Sequence, residues 1–234
     1  MIPWALLDTA EMPDGGGDLR LMQRGAEFSI MCGAIELMNS RLSGSEEALA
    51  AMAAAKLQDR PRPDVLIGGL GMGFTLRAAL SALGPEAQVT VAELVPAVIA
   101  WARGPLAPLF GDSLADPRVS VVEGDVVGLM AQARRGYDAI LLDVDNGPEG
   151  LTRKANDRLY DVAGLGEARR ALRPGGILAV WSSGPDRSFT QRLRRTGFSV
   201  DEVSVRASRS RRGARHVIWM ATPTDARPTG AGRS

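Results

Sequence analysis

The sequence holds one cysteine, Cys32, and one histidine, His216. A single thiol excludes an internal disulfide and any metal site built on cysteines. A single imidazole removes His-cluster centres, and its place in the apolar run His216-Val217-Ile218-Trp219-Met220 sets it apart from Ser–His–Asp chemistry. No apolar run approaches the roughly 20 residues of a membrane-spanning helix. The N-terminus lacks the basic-then-apolar order of a secretory signal. Charge is balanced as well: the formal net charge is +1, too small to point to a nucleic-acid or acidic-membrane partner. A soluble cytoplasmic protein acting on a small molecule, with no metal and no membrane partner, is the expectation.

At 234 residues and 45% hydrophobic content, the chain suits one α/β domain with a small appendage. Its organising stretch runs from Asp64 to Leu80 and reads DVLIGGLGMGFTLRAAL. Val65, Leu66 and Ile67 suit a buried parallel strand. Gly69, Gly71 and Gly73 then alternate into a helical pattern starting near Phe74. Glycines here let backbone approach a ligand and leave free N–H groups at a helix start. The dinucleotide fingerprint is G-x-G-x-x-G, whereas this spacing is G-x-G-x-G, the turn of the S-adenosylmethionine-dependent methyltransferase fold. Glu93 closes the second strand, where an acid can accept both ribose hydroxyls of a nucleoside.

Residues 1–17, ending in Pro13-Asp14-Gly15-Gly16-Gly17, read as a flexible opening. Short alternating runs from Asp18 to Arg41, separated at Arg24-Gly25 and Cys32-Gly33, predict an antiparallel β-meander. Ser43 or Ser45 caps an Ala-rich helix (Ala48 to Leu57), with Glu46 and Glu47 in its first turn. Arg60-Pro61-Arg62-Pro63 marks the boundary between this appendage, 1–60, and the main domain, 61–222. Residues 223–234 read as a disordered tail. Within the main domain, strands near Val65, Val89, Val119, Ala139 and Gly176 alternate with helical patterns starting near Phe74, Pro96, Val126, Ala155 and Arg187. A final antiparallel pair, Val200–Ala207 with His216–Ala221, completes the pattern. The expectation is a doubly wound, mostly parallel seven-stranded sheet of the methyltransferase (Rossmann-like) type, preceded by the meander and helix.

In such sheets the ligand lies beyond the carboxyl ends of the strands. Four of those ends carry candidate residues: the glycine turn, Glu93, Gly124-Asp125, and the run Asp143-Val144-Asp145-Asn146-Gly147-Pro148. Asp125 can accept from an adenine amino group, or cap the helix at Val126, or do both. Asp143 follows the apolar Ile140-Leu141-Leu142 and so either faces the site or caps the next loop. Asn146, Pro148 and Glu149 belong to a loop able to cover substrate. Asn39 reads either as a donor-side contact from the appendage or as a surface residue. His216 reads as structural, Cys32 as a turn or core thiol, and Trp181 and Trp219 as sheet packing.

Together these residues resemble the spermidine synthase family over roughly residues 18–221. The matching segments are Gly69 to Arg77, Glu93, Asp116-Pro117-Arg118-Val119 with Gly124-Asp125, Tyr137 to Asp143, Gly147-Pro148 and Leu172 to Gly176. The resemblance implies an adenosyl sulfonium co-substrate, S-adenosylmethionine or its decarboxylated form, held by the glycine turn, Glu93 and Asp125. It implies Asp143 as the catalytic carboxylate, with Asp145 as a second, and dimerisation is common in the family. The departures lie on the substrate side. Met72 stands where the family has an aspartate for the donor's amine, and Val95 replaces another acid. The D-x-x-D loop is shortened, and Ser45-Glu46-Glu47 replaces Tyr-His-Glu, which helps seat the polyamine. Burying a diamine's charges unpaired costs several kcal/mol each. These losses favour methyl transfer to a small nucleophile over aminopropyl transfer to a diamine. A non-catalytic alternative rests on Arg206 to Arg215, which carries five arginines in ten residues and suits a phosphate or RNA. It lacks interleaved aromatics and reads better as a solvated hairpin loop.

Overall fold

The computed structural model describes residues 2–13, 17–144, 148, 157–208 and 213–224. Four antiparallel strands open it, β1 (Ala5–Glu11), β2 (Asp18–Arg24), β3 (Glu27–Cys32) and β4 (Ile35–Asn39), in sequential order. Gly25 and Gly33 sit in the two tight turns at φ +59° and +55°, a region glycine enters without strain. The meander thus forms where the alternation placed it. Strand β1 departs from the flexible opening expected over residues 1–17. Its Leu6 and Leu7 are exposed, so no period-2 burial marks it. It is held by backbone pairing to β2 and by the Trp101 indole, which donates to Asp8 at 2.7 Å.

Helix α1 (Gly44–Ala55) starts earlier than the alanine run suggests. Ser43 is its N-cap residue but makes no capping bond, and Ser45 is fully buried against another element. The main sheet follows with β5 (Asp64–Gly68), α2 (Phe74–Ala82), β6 (Gln88–Glu93), α3 (Pro96–Arg103), a short α4 (Ala107–Phe110) and β7 (Val119–Glu123). Then come α5 (Val126–Gln132), β8 (Tyr137–Leu142), a single turn α6 (Asp157–Tyr160), α7 (Val162–Ala171), β9 (Leu172–Ser182), α8 (Arg187–Arg195), β10 (Phe198–Arg206) and β11 (Arg215–Pro223). Pro96 occupies the first turn of α3, where its missing N–H costs nothing. The last strand outruns the expected Ala221, and Thr224 N–H donates to Gly197 O. The remainder of the expected tail, 225–234, lies outside the described residues.

The spatial order is β10-β11-β9-β8-β5-β6-β7, parallel except for β11, which lies antiparallel between β9 and β10. Strands β5 and β8 are neighbours although four α-helices and two strands separate them in sequence, so the chain reverses direction of travel across the sheet there. That switch point leaves a crevice above the carboxyl ends of the strands. Alternation along the strands supplies two cores. Val65, Ile67, Leu141 and Ala179 face α1, α2 and the meander; Leu66, Ile140, Leu142 and Val180 face α5, α7 and α8. Leu19, Leu21, Phe28 and Ile30 of the meander belong to the first core, so one apolar layer runs on from the main sheet beneath the appendage.

At the opposite end of the sheet Asp138 is 1% exposed. It accepts from Arg60 at 2.6 Å, Arg173 at 2.5 Å and the Asp64 N–H at 2.8 Å. A buried carboxylate needs this many partners, and Arg60 thereby ties the proline-rich connection to the sheet. Among the described residues no helix is long and apolar enough to cross a membrane.

Candidate active site

The glycine turn joins β5 to α2 with Gly69, Gly71 and Gly73 at φ +92°, +50° and +76°. Two of the three are required by the protein's own packing. A Cβ on Gly69 would lie 2.3 Å from the Asp143 carbonyl, and one on Gly73 would lie 2.4 Å from the Phe110 ring. Gly71 instead meets only the Met38 side chain within 4 Å. Glu93, at the tip of β6, reaches under this turn and accepts from Leu70 N–H at 2.9 Å and Val95 N–H at 2.8 Å. Burial pushes its carboxyl up, while these backbone amides pull the other way. The Gly71 and Leu94 amides act on it as well, so four backbone N–H groups surround the carboxylate at the floor of the cleft.

Above the turn lies a cleft of about 820 Å³ lined by Gly69, Gly71, Glu93, Gly124, Asp125 and Asp143. The tips of four strands thus bring six of the expected residues into one space. Apolar walls from Leu94, Val95, Val126 and Val127, with Leu19, Ile30 and Leu37 of the meander, complete it. Asp125 does cap α5, accepting from Val127 N–H at 2.9 Å, and faces the cleft as well. A second, smaller lobe of about 460 Å³ shares Leu37, Met38, Gly71 and Asp143 with the first. Its other walls include Asn39, Glu46, Met72, Gly73, Phe74 and Trp181.

Asp143 therefore stands at the junction of the two lobes. The Thr75 hydroxyl, from the first turn of α2, donates to its Oδ2. Burial raises the carboxyl from 3.8 to about 6. Glu46, from the first turn of α1, shares the small lobe, and its carboxyl is raised from 4.5 to about 7 by burial and by the nearby Asp143. Two carboxylates in one lobe disfavour each other's ionised forms.

Gly73 and Asn39 line the smaller lobe. Asn39 spends its side chain on the local turn, donating to Glu36 and accepting from the Arg41 and Leu42 amides. Pro148 is partly buried and lines neither lobe. Asp145, Asn146 and Glu149 lie outside the described residues, as do Arg209, Arg211 and Arg212 of the arginine-rich segment. Asp116 and Arg118, matched to an adenine-side segment, pair with each other at 2.8 Å instead. Arg118 also donates to the Leu80, Leu83 and Gly84 carbonyls that end α2. The sequence reading passed over Thr75 and counted Ser45-Glu46-Glu47 as a loss on the substrate side. The structure restores one carboxylate there, because Glu46 points into the lobe that Met72 and Gly71 line. Its position within the polyamine-side segment was the available signal.

The family model for the spermine/spermidine synthase domain matches residues 43–188. The chain belongs to that family. The matched span begins at the entry to α1 and ends in the first turn of α8, so it contains the whole strand-tip site. Polyamine aminopropyltransferase 1 of Streptomyces coelicolor is 38% identical over 127 residues, 53% of this chain and 23% of that protein. Putrescine N-methyltransferase 3 of Nicotiana tabacum is 33% identical over 121 residues, 51% of this chain and 30% of that protein. The matches thus span less than a third of the length of either relative. The spermidine synthase of Thermotoga maritima shares the fold, with a TM-score of 0.72 at 17% identity over 92% of this chain and 72% of that one. Spermidine synthase family members are transferases in these comparisons, and the doubly wound sheet with its antiparallel N-terminal sheet is common to chain and neighbour.

Proposed function

We propose that this chain transfers an aminopropyl group from decarboxylated S-adenosylmethionine to a diamine. The observation that carries the reading is the carboxylate pair Asp143 and Glu46, set in one small lobe beside the glycine turn. An ammonium entering that lobe relieves the repulsion between them, and an uncharged acceptor does not. The relative named as a polyamine aminopropyltransferase supports the same group and acceptor.

In this reading the adenosyl moiety fills the larger cleft. Glu93 accepts from the ribose hydroxyls, Asp125 from the adenine amino group, and the apolar walls at Val95 and Val126 flank the base. Asp143 anchors the acceptor's amine at the junction of the lobes. The amine lone pair forms the new C–N bond as the C–S bond breaks, its electrons passing to sulfur, which leaves as a neutral thioether. Alignment at about 3–3.5 Å supplies much of the acceleration, and the amine's proton must pass to a base.

Methyl transfer from S-adenosylmethionine is the second reading, and the one the sequence by itself favoured. Met72, buried at 3% exposure, offers no counter-charge to a donor amine, and the putrescine N-methyltransferase relative makes methylation of a diamine the related chemistry. Incubation with each donor and a panel of diamines, followed by mass spectrometry, separates them. The aminopropyl product from the decarboxylated donor is expected. A methylated diamine from S-adenosylmethionine alone would replace the first reading with the second, and no product from either donor would overturn both.

A further inference from the structure

Behind the small lobe, two side chains that the proposed chemistry has not used, Ser45 and His216, form a chain of hydrogen bonds leading from Glu46. His216 Nδ1, on β11, lies 2.8 Å from Ser45 Oγ, and Ser45 Oγ donates to Glu46 Oε2 at 2.6 Å. Ser45 is 0% exposed, and 171 residues separate it from His216. The imidazole is packed edge-on against Trp181 with ring centroids 4.8 Å apart, and Trp181 is itself a wall of the lobe. A buried serine inside a first helical turn commonly bonds its own backbone. This one instead links a carboxylate to the only imidazole in the chain.

We infer that Glu46 is the catalytic base that takes the proton of the attacking amine, and that His216, acting through Ser45, is the positioning residue that holds its carboxylate and follows its protonation. The inference rests on the amine-alkylation reading above and divides the work of the two carboxylates. Among the described residues the Asp143 carboxyl is held by the Thr75 hydroxyl and sits at the junction, which suits anchoring. Glu46 has a partner chain leading away from the lobe, which suits a group that must change charge each turnover.

The direction of the bonds follows from counting protons. A hydroxyl has one proton to give. With Glu46 ionised, Ser45 donates to it and so must accept from Nδ1–H. With Glu46 protonated, Ser45 turns to donate to Nδ1, and the imidazole proton resides on Nε2. Charge on Glu46 is thereby written into the tautomer of His216. Burial lowers the imidazole's own pKa from its ordinary value, which favours the neutral ring while Glu46, raised to about 7, titrates. The charged groups acting on Glu46 among the described residues are Asp143 from the tip of β8 and Glu47 next along α1; the remaining walls of the lobe, Asn39, Met72, Phe74 and Trp181, carry no charge.

The test is ¹⁵N NMR of the single imidazole in the full chain, with kcat and KM measured on the same samples using decarboxylated S-adenosylmethionine and a diamine. Wild type should pass from the Nε2–H to the Nδ1–H tautomer as pH rises through about 7. Glu46→Gln and Ser45→Ala should abolish that change, and Ser45→Thr, which keeps the hydroxyl, should restore it. Glu46→Gln should lower kcat by about 10²–10⁴-fold, the range of general-base catalysis. Ser45→Ala removes a bond that favours the ionised carboxylate, so the rising limb of kcat should move to higher pH with KM for the diamine unchanged. A single tautomer across this range in wild type, or a switch that persists in Glu46→Gln, overturns the linkage. A linked switch with full kcat in Glu46→Gln overturns its role as base. Absence of turnover by wild type, with the tautomer switch intact, would instead bring down the alkylation reading.

Discussion

Asp143→Asn should make the protein more stable and less active at the same time. The carboxyl ionises at 3.8 when free and at about 6 in the folded chain. Between those values the folded state holds a proton that the unfolded state has released. Its contribution is therefore fully present below about pH 4 and is lost as pH rises through about 6. At about 1.4 kcal/mol per pKa unit, the ionised carboxylate costs at most about 3 kcal/mol above neutrality. Solvent at the cleft reduces that figure, because Asp143 is only half-buried as a residue. Asparagine keeps the acceptor for the Thr75 hydroxyl and removes the charge, and it also relieves the repulsion on Glu46. For a chain of this length each kcal/mol moves Tm by roughly 2–4 °C, so the variant should melt several degrees higher at pH 8. At about pH 3.5 wild type and variant should melt nearly together, since the aspartate is then mostly protonated in both states. Circular dichroism melts at the two pH values, with turnover assayed at pH 8, supply the measurement. A variant that melts lower at pH 8, or that gains the same stability at both pH values, would refute burial of a charged group at the junction of the lobes.

Three further outcomes follow from the same geometry. Asp138→Ala strips the shared acceptor from Arg60, Arg173 and the Asp64 amide; loss of about 3 kcal/mol is expected in urea unfolding, near the lower end for a broken buried pair because both arginines retain some solvent. Gly73→Ala forces a Cβ to 2.4 Å from the Phe110 ring at φ +76°, whereas Gly124→Ala meets nothing within 4 Å. The first should lose at least about 1–3 kcal/mol of stability, and the second should fold normally, with calorimetry reading any loss of donor affinity in the cleft. Trp181→Phe empties the space of the indole's five-membered ring, so thermal unfolding should show a loss of about 1–2 kcal/mol, with no hydrogen bond lost because the buried indole N–H has no partner among the described residues.

The strand-tip site was legible from local order. The glycine turn, Glu93, Gly124-Asp125 and Asp143 each end or directly follow a mostly apolar strand, and a parallel sheet brings every such tip to one edge. Their mutual closeness is a consequence of sheet topology and needed no side-chain detail. Strand β1 was hidden, because its leucines are exposed and its pairing is made by backbone atoms that any sequence supplies. The purpose of the glycines was half hidden for a similar reason. The sequence shows that no Cβ is wanted at Gly69 and Gly73, but only packing reveals that the Asp143 carbonyl and the Phe110 ring fill the space.

Sequence by itself determined the order of strands and helices, the nucleoside-type turn and the carboxylates at the tips, since these depend on periodicity and on residues a few positions apart. Tertiary structure alone decided the smaller lobe. Glu46 reads along the chain as an acid at a helix entry, Ser45 as a cap and His216 as an apolar-strand residue. They become one unit because β11 inserts between β9 and β10 and α1 packs over the sheet beside it. Hydrogen bonds between residues so far apart in sequence leave no periodic trace, and only the folded chain brings their atoms within reach.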